Sequence, residues 1–149
     1  MKTAIIYYSK HHGNTKQLAE AIQSASTDEI TLINVTETPN MNLDGYDLIG
    51  YASGIYYSKF HKQVLQFAKN NTPRGKKVFL LYTYGVEKPG YTKAIREALA
   101  GTNAAILGEY GCLGFNTFGP FKLVGGIAKN HPDEADIQHA LSFYQNLHP

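Results

Sequence analysis

Residues 3–25 read TAIIYYSKHHGNTKQLAEAIQSA, and a change of pattern inside this stretch decides the fold class. Thr3 to Tyr8 is an unbroken apolar run of β-branched and aromatic residues, the composition of a strand covered on both faces. The run stops at Ser9. From Gly13 onward the spacing is helical: Leu18, Ala19, Ile22 and Ala25 recur three or four apart, while Lys16, Gln17, Glu20 and Gln23 occupy other faces. A buried strand, a seven-residue polar turn and an amphipathic helix make half of a βαβ unit. Tyr7 and Tyr8 are neighbours on the strand and must face opposite sides of the sheet, so at least one of them packs against a helix layer.

The same alternation continues outward. Glu29 to Val35, Tyr46 to Ala52, Val78 to Tyr82 and Ala104 to Tyr110 read as further strands. Phe60 to Asn70, Tyr91 to Ala100 and Asp133 to Leu147 read as helices, the last with Asp133, Glu134 and Asp136 where the helix dipole favours acids. The expectation is an α/β fold in a single domain spanning residues 1–149, a doubly wound three-layer sandwich on a five-stranded parallel sheet. One long irregular piece, Gly111 to Pro132, carries five glycines and two prolines, and loops of that length are functional or docked.

Composition excludes several classes. A single cysteine, Cys112, permits no internal disulfide, and 43% hydrophobic content suffices for one core. The first residues show no leader pattern and no run reaches the roughly 18 apolar residues of a membrane span, so the cytoplasm is the expected compartment. A formal net charge of +2 is too small to imply a nucleic-acid partner.

Ligands in such sheets bind beyond the carboxyl ends of the strands, which singles out Ser9 to Thr15, Ser53 to Ser58 and Thr83 to Gly90. The first loop gathers hydroxyls, an amide and backbone N–H groups at the positive end of a helix, the chemistry of an anion cradle. Asn14 after Gly13 departs from the Lys-Ser or Lys-Thr of a P-loop, and the G-x-G-x-x-G fingerprint is missing, so Glu37 after the second strand is no ribose-binding acid. An ordinary capped βα turn, with Ser9 or Asn14 satisfying orphan N–H groups, is the alternative.

Strand–Ser-x-x-x-Gly-Asn-Thr–helix resembles the FMN phosphate loop of flavodoxins. Residues 50–61, GYASGIYYSKFH, resemble the second flavin loop of that family, and Tyr82-Thr83-Tyr84-Gly85 the third; residues 112–121, CLGFNTFGPF, are similar to short bacterial members. The resemblance covers essentially the whole chain. It implies a sheet of order 2-1-3-4-5, non-covalent FMN and a role in moving electrons between redox partner proteins. The first loop is one residue longer than the compact family form, a length shared by relatives resembling flavodoxin-type protoporphyrinogen oxidases. The resemblance assigns the 5′-phosphate to Ser9, Asn14 and Thr15, with the backbone of Lys10, His11, His12 and Gly13. It assigns the isoalloxazine ring to Ser53, Gly54, Ile55, Tyr56, Tyr57 and Ser58 on one side and Thr83, Tyr84 and Gly85 on the other. Tyr56, Tyr57 and Tyr84 are the stacking candidates, and Gly54 or Gly85 supplies the flexible peptide near N5.

His11-His12 has no metal-site spacing, and Cys112, at the end of a buried strand, behaves as a small hydrophobe with no assigned role. No residue stands out as a general acid or base. Lys10, His11, His12, Lys59, His61, Lys62 and Lys88 lie in or beside the three loops, against Glu87 as the one acid in those stretches. That basic rim predicts a hydroquinone couple less negative than in acidic flavodoxins and attraction for acidic partners or a nicotinamide nucleotide. Two functions share this site. One is an electron carrier with an exposed flavin edge. The other is an FMN-dependent oxidoreductase acting on NAD(P)H, a quinone or a protoporphyrinogen-like substrate, with Phe115, Phe118 and Phe121 walling a pocket or simply packing under the loop. A flavodoxin-like module without FMN is disfavoured by the intact Ser9, Gly13, Asn14 and Thr15.

Overall fold

The computed structural model describes residues 1–10, 13–114 and 130–147. Six strands form the sheet: β1 (Lys2–Tyr8), β2 (Glu29–Asn34), β3 (Leu48–Tyr56), β4 (Lys59–Phe60), β5 (Lys77–Tyr84) and β6 (Ala105–Leu113). The order is β2-β1-β3-β5-β6, with parallel pairing throughout this path and β4 added antiparallel to β3. With the two-residue β4 set aside, this is the expected 2-1-3-4-5 arrangement.

The side-chain period of two along each strand divides the core into two layers. Ala4, Ile6 and Tyr8 of β1, Ile49 and Tyr51 of β3, and Val78 and Leu80 of β5 bury against Val64 and Phe67 of α2 (Lys62–Asn71) and Ile95 and Leu99 of α3 (Lys93–Ala100). Ile5 and Tyr7, Leu48 and Ala52, and Phe79 and Leu81 bury on the other side. There they meet Leu18, Ala19 and Ile22 of α1 (Asn14–Ala25) and Ala140 and Tyr144 of α4 (Glu134–Gln145). Tyr7 and Tyr8 therefore face opposite layers, as their adjacency requires. Each fully buried aliphatic side chain among these contributes about 1.5–3 kcal/mol. α4 opens with a reciprocal capping box between Asp133 and Asp136, which satisfies two N–H groups at its start.

The strands run further toward their carboxyl ends than the apolar pattern suggests. β3 continues through Ser53 to Tyr56 because Ser53 pairs with Tyr82, Gly54 with Thr83, and Ile55 with Phe60 across the β3–β4 hairpin. Backbone pairing to β5 outweighs the small and polar residues that interrupt the run. β6 likewise takes in Gly111, Cys112 and Leu113, paired to Tyr82, Thr83 and Tyr84. The first three residues of the Gly111 to Pro132 piece are thus strand, and residues 115–129, with Phe115, Phe118 and Phe121, lie outside the described residues.

Candidate functional site

The chain passes from β1 outward to β2 and then returns to place β3 on the other side of β1, so the order reverses between β1 and β3. Crevices form at the carboxyl edge of such reversals. The loops after β1, β3 and β5 meet there because those strands are consecutive neighbours in the sheet.

In the first loop Gly13 is the residue before α1 and holds φ 65° and ψ 28°, the left-handed region that glycine enters without steric cost. The first intrahelical bond runs from Gln17 N–H to Gly13 C=O at 3.0 Å, so the amides of Asn14, Thr15 and Lys16 precede the helical ladder. Lys16 N–H donates to Ser9 Oγ at 3.3 Å, and the first turn carries no acid. Thr15 is buried and its hydroxyl bonds that of Thr83 at 3.0 Å, tying the first loop to the third. The Asn14 amide lies over Gly114: a Cβ there would come within 2.7 Å of Asn14 Nδ2 and 3.0 Å of Thr83 Cβ. Gly114 N–H in turn donates to the Tyr84 carbonyl at 2.9 Å. A dianionic phosphate fits this cradle, since amides at a helix start, a left-handed glycine and hydroxyls meet there and, among the described residues, no acid stands in the first turn of α1. His11 and His12 lie outside the described residues.

The second loop is a hairpin. Tyr56 pairs with Lys59, and the two residues between them, Tyr57 and Ser58, both take positive φ (52° and 66°), the signature of a type I′ turn. Neither is glycine, so each costs on the order of 1 kcal/mol, and strain of this kind gathers at functional loops. Tyr57 stands 82% exposed at the tip, whereas Tyr56 is half-buried, edge-on to Tyr8 and His61, with burial holding its hydroxyl up at about 12. The Ser53 hydroxyl is fully buried, donating to the Gly54 carbonyl and accepting from His61 N–H at 2.9 Å. It braces the hairpin from inside, and the Gly54 carbonyl is committed to it.

His61 is the residue whose place the sequence conceals most. Its ring stacks on Tyr8, centroids 3.6 Å apart and planes 8° off parallel, and its Nδ1 accepts the Gln63 N–H at 3.1 Å, capping α2. Burial, then the nearby charges of Lys62 and Lys10, lower its pKa. An imidazole accepting at Nδ1 is neutral with its proton on Nε2, so His61 is removed from the positive charges of the rim. A second correction follows from the third loop. Folding brings Glu109, Asp133 and Asp136 to this end of the sheet: Glu109 acts on Tyr82, Asp136 on Tyr84, and Asp133 on Cys112. The rim is therefore polarised, with basic residues on the β1–β3 side and acidic ones on the β6–α4 side.

Beyond Thr83, which is buried, Tyr84 joins Tyr82 and Tyr91 in a ring cluster with centroids 5.8–6.2 Å apart. Tyr91 donates from its hydroxyl to the Val86 carbonyl and so fixes the far end of the loop, while Gly85 sits in the bend before it. Beneath lies a cavity of about 540 Å³ lined by the three tyrosines, Thr92 and Glu109. Glu109 is held by Arg96 at 2.7 Å, Thr92 at 3.2 Å and Tyr82 at 3.2 Å. Desolvation with the Glu109 charge raises Tyr82 to about 12. Tyr91, Thr92, Arg96 and Glu109 carried no motif; only the two-residue offset between Tyr82 and Tyr84, which puts both on one face, was readable. Cys112 is buried and desolvation lifts its thiol to about 12, which suits packing. His131, Asp133 and Asp136 bring ligand atoms within 4.8 Å of one another, but Asp133 and Asp136 serve the α4 capping box and Asp136 also holds His131 at 2.6 Å. Among the described residues no helix is long and apolar enough to cross a membrane.

A doubly wound parallel sheet with three loops converging at its reversal point defines a flavodoxin-like α/β protein. Residues 5–106 match the family model described as Flavodoxin domain, and the chain belongs to the flavodoxin family. An uncharacterized protein of Methanocaldococcus jannaschii is 38% identical over 149 residues, covering 99% of this chain and 98% of that one. Among solved structures, a Fusobacterium nucleatum flavodoxin mutant bound to flavin mononucleotide matches with a TM-score of 0.66 at 15% identity, over 96% of this chain and 93% of that one. The rubredoxin oxygen:oxidoreductase of Desulfovibrio gigas matches with a TM-score of 0.71 at 16% identity, over 98% of this chain and 35% of that chain. At these identities the two structures share its fold.

Proposed function

We propose that this chain binds FMN non-covalently at the carboxyl edge of β1, β3 and β5 and works as an electron-transfer protein. The observation that carries the reading is the knitting of the first loop, the third loop and the end of β6 around one cradle, through the Thr15–Thr83 bond and the Asn14–Gly114–Tyr84 contacts. When bound, FMN supplies reversible one- and two-electron chemistry that no side chain offers. Ser9, Gly13, Asn14 and Thr15, with the backbone of Lys10, His11 and His12, hold the phosphate. Gly54, Ile55, Tyr56, Tyr57 and Ser58 line one side of the ring and Thr83, Tyr84 and Gly85 the other, while Ser53 braces the hairpin. Tyr57, exposed at the tip, and Tyr84 are placed to offer aromatic faces.

The cavity beside Tyr84 supports a second reading, an oxidoreductase that takes NAD(P)H or a quinone directly. One experiment separates them. The purified protein is reconstituted with FMN, its visible spectrum recorded, and NADPH added without oxygen. Flavin bands that persist with NADPH support the carrier; rapid bleaching supports the oxidoreductase; failure to take up FMN refutes both.

A further inference from the structure

We infer that the carboxyl edge is a docking surface for an acidic protein, seated on Tyr57 and Val86 and steered by the lysines around them; this rests on the electron-transfer reading and names the partner it requires. Among the described residues three large hydrophobic side chains are exposed: Met1 at the chain start, Tyr57 (82%) and Val86 (43%). The latter two sit on the second and third loops, which leave neighbouring strands joined in register at Gly54 and Thr83. Apolar side chains offered at one edge and rimmed by charge form the anatomy of a protein contact.

The charges specify the partner. Lys10, Lys59, Lys62 and Lys88 are all exposed, and among the described residues none has an acid within ion-pair distance. Lys10, in the loop after β1, and Lys62, at the start of α2, both act electrostatically on His61, and Lys59 follows the hairpin tip. The acids at this edge are mostly engaged: Glu109 by Arg96, and Asp136 by His131 and the Asp133 N–H, with Glu87 the exposed exception. Lysines without an ion-pair partner among the described residues therefore accompany both apolar side chains, Lys59 and Lys62 beside the Tyr57 hairpin and Lys88 beside Val86, and a carboxylate-rich surface supplies what they lack. An anionic bilayer fits less well, because a flat negative plane would also oppose Glu87 and the β6–α4 acids, whereas a protein can complement both halves and so dock in one orientation.

The test uses an acidic rubredoxin as probe. Amide shifts of the isotope-labelled chain should move at residues 10, 57–62 and 86–88 at low salt and return at high salt. With the FMN-loaded protein, electron transfer from the reduced probe should slow about tenfold between low and high salt and about tenfold again in the K59E/K62E double variant. K69E/K77E, of the same net charge but at the opposite end of the sheet, should stay within about twofold of the parent. Equal slowing in both variants, shifts confined to other surfaces, or binding to phosphatidylglycerol vesicles in preference to rubredoxin overturns the proposal. The shift map is read with or without FMN, so loss of flavin binding defeats the earlier reading and still leaves this one tested.

Discussion

Replacing His61 should reveal a site held together by an uncharged imidazole. Its ring caps α2 through Nδ1 and stacks face to face on Tyr8. A lost helix cap costs about 1 kcal/mol, and a lost stacked pair on the order of 1 kcal/mol more. His61→Ala should therefore destabilise the protein by about 2 kcal/mol, lowering Tm by roughly 4–8 °C in a chain of this length. His61→Asn keeps a capping acceptor and should lose about half of that. The pH dependence has a definite sign. Burial, with Lys62 and Lys10 adding to it, sets the folded-state pKa below its unfolded value, so the contribution is intact above the unfolded pKa of about 6.5 and is lost as pH falls from there through the folded pKa. Thermal melts between about pH 7.5 and about pH 5 should show the parent losing more stability than His61→Asn, and NMR titration should give His61 a midpoint below that of a free imidazole. Parallel pH profiles, or a midpoint at or above the ordinary value, would refute the neutral-cap reasoning.

Other substitutions test the cradle and hairpin. Gly114→Ala should push the Asn14 amide aside, cost about 1–3 kcal/mol in a denaturant melt, and weaken FMN binding measured by fluorescence quenching. Thr83→Val leaves the buried Thr15 hydroxyl without its partner and should cost about 1–3 kcal/mol, whereas adding Thr15→Val should cost little more, a coupling read by a double-mutant cycle. Ser58→Gly relieves a positive φ and should raise Tm by about 2 °C while leaving the hairpin register unchanged in an amide-exchange map. Arg96→Ala leaves the Glu109 carboxylate with Thr92 and Tyr82 alone, and it should reshape the cavity under Tyr84 while costing no more than about 1 kcal/mol in a thermal melt, because the pair is partly exposed.

What could be read in advance was what depends on neighbours along the chain. Leu18, Ala19 and Ile22 buried one face of α1 as their spacing required, and the Thr3–Tyr8 run became a central strand. What escaped depends on partners far away in sequence. Ser53 to Tyr56 looked like loop because strand character there comes from β5 and β4, residues that local periodicity does not include. His61 looked like a cation beside the site because its neutrality is set by Tyr8 and by the Gln63 amide. Glu109, Asp133 and Asp136 reach the site only through the final two crossings of the chain, so a reading of loop composition counted Glu87 alone.

Gly114 gives this scaffold a practical property. Its N–H is fastened to the Tyr84 carbonyl and its Cα lies against Asn14, so any segment spliced in directly after it starts from a fixed point beside two of the three loops. A peptide or small domain grafted at that junction would emerge next to the proposed flavin site, which makes residue 114 the natural point for wiring this protein to an electrode or a fused enzyme.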